Sequence, residues 1–135
     1  MLKAVIDTNL FVRGLLKGAT ALPLIEALKN NKFQLLISSS LIAELIDVLS
    51  RDRLKKYFSP EDLEELLKLI ESQGTIVETN ESIQDCRDTK DNIVLECAIA
   101  GSADFIITSD KDLLVLHPYR EIKIIGPQEF MRNFR

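Results

Sequence analysis

Two hydrophobic rhythms alternate along the chain, short unbroken apolar runs and longer stretches with helical spacing. Lys3-Ala4-Val5-Ile6 is a run of the first kind and predicts a strand. Ala19 to Asn30 predicts a helix, with Pro23 tolerable in its first turn. Asn30-Asn31-Lys32 ends it, and Phe33 to Ile37 predicts a second strand. Ser38, Ser39 and Ser40 are N-cap candidates for a helix from Leu41 to about Leu49. Ser59-Pro60-Glu61-Asp62 is a stronger start signal: a serine cap, proline at the first helical position, then acids in the first turn. Leu63, Leu66, Leu67 and Ile70 follow at helical spacing, and Gly74 is placed to stop that helix. Thr75 to Glu78 predicts a third strand. Asp91 opens a very apolar helix, Ile93 to Ala100, which ends at Gly101. Asp104 to Thr108 predicts a fourth strand, Lys123 to Gly126 a fifth, and Pro127 to Met131 a last helical turn.

Strands separated by helices imply a parallel sheet covered on both faces, with right-handed crossovers. In such open sheets, sites form beyond the carboxyl ends of the strands. A length of 135 residues fits one domain spanning 1–135, and 46% hydrophobic residues are enough for a sizeable core. No apolar run approaches the roughly 20 residues of a membrane span, and Asp7 comes too early for a signal peptide. Cys86 and Cys97 lack metal-ligand spacing and read as reduced thiols, so a cytoplasmic protein is expected. The formal net charge of −4, from 21 acids against 17 bases, offers no basic field to a polyanion. A nucleic-acid function therefore needs a local basic patch or a cation in the site.

The acids decide which. Asp7 directly follows the first strand and Asp110 the fourth, with Asp112 two residues on. Asp91 stands at the head of the apolar helix, with Asp88 competing for the same capping role. Glu44 falls roughly 40° outside the apolar stripe of its helix, at the boundary of the core. Each has a plainer explanation as a helix cap or boundary residue. Together, four segments deliver Asp7, Glu44, Asp91 and Asp110 to one edge of the sheet. Asp104 precedes the fourth strand and belongs at the opposite end. Clustered carboxylates cannot all stay ionised without a cation, and an all-oxygen set suits Mg²⁺ or Mn²⁺ rather than zinc.

The ordered set Val5-Ile6-Asp7-Thr8-Asn9, Ser39 with Ala43-Glu44-Leu45, Asp88-Thr89-Lys90-Asp91-Asn92 and Ala103 to Leu114 resembles PIN-domain proteins, most closely the toxins of toxin–antitoxin systems related to VapC. The resemblance covers essentially the whole chain. It implies an α/β/α sandwich, three layers around a central parallel sheet of about five strands, and a metal-dependent endoribonuclease. It assigns Asp7, Glu44, Asp91 and Asp110 as catalytic and metal-binding acids, with Asp112 as an auxiliary ligand, and leaves open whether Asp88 or Asp112 joins the metal site. Thr8, Asn9 and Ser109 would orient ligands or the attacking water, and Lys111 and Arg13 would contact RNA. Implied partners are an RNA substrate, a cognate antitoxin and a second copy of the chain. Asn92 and Glu96 receive no role; a salt bridge is expected for Glu96. Arg51, Arg53, Lys55 and Lys56 read as a solvated helix end, and His117 as a surface residue.

Three other readings compete. A receiver-type phosphoacceptor needs paired acids after the first strand and a lysine after the last, whereas Asp7 is single and Lys123 begins its strand. A phosphatase with Asp-x-Asp is disfavoured by Asn9. A catalytically silent PIN-fold interaction module would keep the fold and lose the acids, and all four are present.

Overall fold

The computed structural model describes residues 1–134. Its elements are β1 (Lys3–Ile6), α1 (Thr8–Leu15), α2 (Leu22–Lys29), β2 (Gln34–Ile37), α3 (Ser39–Leu49), α4 (Asp52–Lys55), α5 (Pro60–Gln73) and β3 (Gly74–Ile76). A 3-10 turn (Thr89–Asp91) leads into α6 (Asn92–Ala100), followed by β4 (Phe105–Ile107), α7 (Lys111–Leu114), β5 (Lys123–Ile125) and α8 (Pro127–Met131). The sheet has five strands in the order β3-β2-β1-β4-β5, every pair parallel. Helices cover it to give a three-layer α/β/α sandwich. No helix is long and apolar enough to cross a membrane.

Burial follows strand position. Ala4, Val5 and Ile6 of β1, Leu35 to Ile37 of β2 and all of β4 are buried, so each reads as an unbroken apolar run, as a strand covered on both faces requires. The edge strand β3 exposes Thr75 and Ile76 instead. A second packing centre is aromatic: Phe130 of α8 stands edge-on to Phe33 and Phe105 at 5.0 and 5.2 Å.

Several boundaries differ from expectation. The third strand begins at Gly74 and ends at Ile76, because α5 feeds straight into it. Gly74 has an ordinary extended backbone, so it does not end the helix by a left-handed turn. A Cβ there would come within 2.5 Å of the Ile70 carbonyl oxygen, and that close approach is what requires glycine. The helix expected from Ala19 starts at Leu22 and ends at Lys29. The fourth strand is trimmed at both ends, leaving Asp104 and Thr108 outside it. The helices α4 and α7 were not legible, since four residues are too few to show a period.

The strand order turns around at β1, which is flanked by β2 on one side and β4 on the other. The crevice beyond the carboxyl ends of β1 and β4 is therefore the topological switch point, where open α/β sheets bind ligands.

Candidate metal centre

Asp7 leaves β1 directly into that crevice. It occupies the cap position of α1 without a standard side-chain cap, although the Thr8 and Asn9 amides favour its charged form. Its Oδ2 accepts from the Thr108 hydroxyl at 2.7 Å, and the residue is 3% exposed. Burial is the main influence raising its pKa, with the Asp110 charge adding to it and the Thr108 hydroxyl opposing. Glu44, half-buried on α3, accepts from the Thr8 hydroxyl at 3.1 Å. Its pKa is raised, first by burial and then by the charges of Asp7 and Asp88, against the opposing Thr8 hydrogen bond and Lys90.

Asp91 and Asp110 complete the crevice. Asp110 caps α7 through its Oδ1, which accepts from the Asp112 amide at 2.8 Å, while its own amide donates to the Thr108 hydroxyl at 3.0 Å. Asp91 is 8% exposed, and its Oδ2 is buried with no hydrogen-bond partner among the described residues. Oxygens of Asp88, Asp91 and Asp110 all lie within 4.8 Å of one another. Burial, then hydrogen bonding to Asp110 and the charges of Asp110, Asp7 and Asp88 push the Asp91 carboxyl up to about 8.

A sealed carboxylate oxygen without a partner is costly. A carboxylate with an oxygen deprived of a donor, in an all-oxygen cluster, is what a hard divalent cation needs. Asp88, Asp91 and Asp110 are the residues placed to hold such an ion directly, with Asp7 and Glu44 alongside.

Of the four acids expected at the sheet edge, Asp91 and Asp110 lie in the tight group with Asp88, while Asp7 and Glu44 are near enough for their charges to act on one another or on the group. Asp112 contributes its backbone: its amide holds Asp110 and its carbonyl accepts from the Cys86 thiol at 3.5 Å, while its carboxylate stands outside the tight group of three. Thr8 does orient an acid, Glu44. Asn9 and Ser109 are exposed and their side chains make no hydrogen bond among the described residues. Lys111 and Arg13 are exposed. Asp104 lies at the far end, accepting from the Lys3 amide. His117 is exposed, as expected. Glu96 makes no salt bridge among the described residues; it accepts instead from the Ile83 amide at 2.9 Å.

One residue, Thr108, escaped the sequence reading, which left open whether Asp88 joins the metal site. Asp88 does cap a turn, accepting from the Lys90 amide, but it also faces the cluster. Its spacing of three from Asp91 was the available signal, since residues three apart share a helical face. Thr108 was hidden inside an apolar strand. With Ile6 paired to Ile107, the next residues, Asp7 and Thr108, are neighbours, and Thr108 is 0% exposed. Its hydroxyl serves two acids at once, so Thr108→Val should weaken divalent-metal affinity by about 10- to 100-fold. A metal titration followed by thermal shift reads this; an unchanged midpoint would remove Thr108 from the site.

The segment carrying Asp88 is tied down from several sides. The Cys86 amide donates to Asn92 Oδ1 at 2.8 Å, Tyr119 donates its hydroxyl to Asp85, and Arg120 grips Glu81 with two nitrogens, at 2.9 and 2.7 Å. Asn92, left without a role by the sequence, helps hold the loop that presents the third acid of the group.

The proton on Asp91 has a measurable consequence. A carboxyl raised from 3.8 to about 8 stabilises the metal-free fold fully only below its unfolded value, and that stability is lost as pH rises through about 8. The melting temperature in EDTA should therefore fall between pH 5 and 9. Saturating Mg²⁺ should abolish the fall, because binding displaces the proton. A flat profile in EDTA would contradict the buried, uncompensated carboxyl.

The PIN domain family matches residues 3–112 of this chain. No curated protein matches it. Among solved structures, VapBC2 from Rickettsia felis, crystallised bound to a DNA fragment from their promoter, is similar in fold at a TM-score of 0.58. It has 17% identity over 91% of this chain and 97% of that one. A domain of a functionally unknown protein from Methanocaldococcus jannaschii is similar at a TM-score of 0.59 and 14% identity, over 93% of this chain and 91% of that one. With a family match across most of its length and the parallel five-stranded sheet expected for it, the chain belongs to the PIN-domain family.

Proposed function

We propose that this protein is a Mg²⁺- or Mn²⁺-dependent endoribonuclease acting as the toxin of a toxin–antitoxin pair. The observation that carries the reading is the sealed, unpartnered Asp91 Oδ2 within a group of three carboxylates at the switch point. Asp88, Asp91 and Asp110 hold the ion, with Asp7 and Glu44 as the further acids of the site and Asp112 acting through its backbone. When bound, the ion supplies water activation and neutralises charge on the phosphodiester.

The chain's own groups do the rest. Thr108 keeps Asp7 and Asp110 in fixed orientation through one hydroxyl, and Thr8 does the same for Glu44. Asp91 gives up its proton when the site is loaded. Asn9 and Ser109, exposed beside the acids, are free to meet the attacking water or the substrate. Lys111, at the first turn of α7 next to Asp110, and Arg13, on the last turn of α1, supply positive charge to a phosphate backbone that the net-acid surface would otherwise repel. The fold likeness to VapBC2 of Rickettsia felis supports a cognate antitoxin as partner, and a homodimer and a cytoplasmic setting go with that assignment.

Incubation of the pure protein with single-stranded RNA and Mg²⁺ or Mn²⁺ tests the reading. Cleavage should vanish in EDTA and in the Asp7→Asn variant. Cleavage that survives both controls belongs to a contaminant, and no cleavage with either metal overturns the proposal.

A further inference from the structure

Beside the carboxylates a separate cleft of about 480 Å³ opens between the end of α1, the residues after β4 and β5, and α8. Its volume lies within the roughly 300–1,000 Å³ of small-molecule sites. Thr108 belongs to both places: its hydroxyl holds Asp7 and Asp110, and it also lines the cleft together with Ser109. Ser109, which directly precedes Asp110 in the chain, therefore stands where the cleft adjoins the acids.

The cleft is marked by charge. Arg13 enters from α1 and Arg132 from the turn after α8, and both are exposed. Like most of the cations, Arg13 and Arg132 make no ion pair among the described residues, so both guanidinium groups are open to a ligand. Two unengaged guanidinium groups on one cleft of a chain with net charge −4 form a local anion site. Glu129 also lines it and opposes them. Thr20 and Gln128 add side chains that can donate and accept hydrogen bonds.

We propose that this cleft seats a nucleotide flanking the scissile phosphate of a single-stranded RNA, Arg13 and Arg132 gripping its backbone and Thr20 and Gln128 meeting its base or sugar. The assignment rests on the nuclease reading above for the position of the scissile bond. It makes the cleft, rather than the acids, the place where the enzyme selects its substrate. Arg132 and Gln128 become RNA contacts that the sequence motifs did not suggest.

Gly126 offers a steric probe. It lines the cleft with ordinary extended backbone, and a Cβ there would meet only the Thr108 carbonyl oxygen, at 3.8 Å. The backbone at 126 therefore accepts a side chain, and Gly126→Phe is the variant chosen to occupy the cleft.

The test measures binding of a labelled single-stranded RNA by fluorescence polarisation, with Ca²⁺ replacing Mg²⁺, and cleavage of the same RNA in Mg²⁺. Arg13→Ala and Arg132→Ala should each weaken binding about tenfold, as loss of a charged hydrogen bond does. Each should also flatten the slope of log affinity against log salt by about 0.7. Gly126→Phe should weaken binding similarly, and Glu129→Gln should tighten it. KM should rise with kcat little changed, and the Mg²⁺-induced thermal shift should stay at its wild-type midpoint. Wild-type binding and KM in the arginine and Gly126 variants overturn the cleft while leaving the nuclease reading intact. Arginine-dependent binding by a protein that never cuts RNA overturns the nuclease reading and keeps the cleft. Absence of RNA binding by the wild type overturns the cleft whatever the cleavage result.

Discussion

Asp91→Asn is expected to raise the melting temperature of the metal-free protein and to lower RNA cleavage about a thousandfold. The two effects come from one carboxyl. In the empty fold Asp91 is buried against Asp110, Asp7 and Asp88, and its charged form is so disfavoured that it titrates at about 8. An asparagine of the same shape carries no charge to desolvate and can donate to Asp110, so at pH 8 the metal-free protein should gain of the order of 5 °C. The same change removes an anionic ligand from the group of three. Divalent-metal binding should be lost, and with it about 4 kcal/mol of transition-state stabilisation. Thermal melting in EDTA, calorimetric Mn²⁺ titration and an RNA cleavage assay on one preparation read all three. A melting temperature that falls in EDTA would mean that Asp91 serves the fold rather than the metal.

Phe130→Ala is expected to have the largest effect on stability, about 4 kcal/mol. Its side chain is 0% exposed and meets Phe33, Phe105 and Phe134 edge-on at 5.0, 5.2 and 5.4 Å. Truncation leaves a void that three rings cannot close by small shifts. Against a total of roughly 5–15 kcal/mol, this is a large share. The urea midpoint should drop with an unchanged m-value. Phe105 begins β4, so the cluster lies at the amino end of the sheet, away from the carboxylates. The folded variant should therefore keep wild-type metal affinity at low temperature. A loss of metal affinity in the folded variant would show the two ends of the sheet to be coupled.

These expectations also mark what could be read from residues alone. The apolar runs at Val5, Leu35 and Ile106 announced a buried parallel sheet because strands covered on both faces leave no polar position to confuse the pattern. Asp7 and Asp110 were legible for a related reason: an acid directly after such a run is conspicuous. Glu44 needed the family motif, since its own helix explains it equally well as a boundary residue. Thr108 was missed, and Asp88 was left open as a ligand, because both depend on tertiary placement. The register that sets Thr108 beside Asp7 joins residues 101 apart, and no local period carries that information. Asp88 was read as a cap, which it is; that one carboxylate can cap a turn and face a cluster was visible only once the turn was placed. Asp112 shows the converse, a conspicuous acid whose contribution comes through its amide and carbonyl.

The sharing of Thr108 between Asp7 and Asp110 also fixes when the site can exist. Asp7 is made before its hydroxyl partner, which is added 101 positions later. Strand β1 is central, yet one of its two neighbours, β4, comes about a hundred residues after it. A growing chain therefore carries scattered acids and no assembled crevice until β4 has been made. Under the proposed toxin function, the order of translation itself keeps the unfinished protein harmless to the message that encodes it.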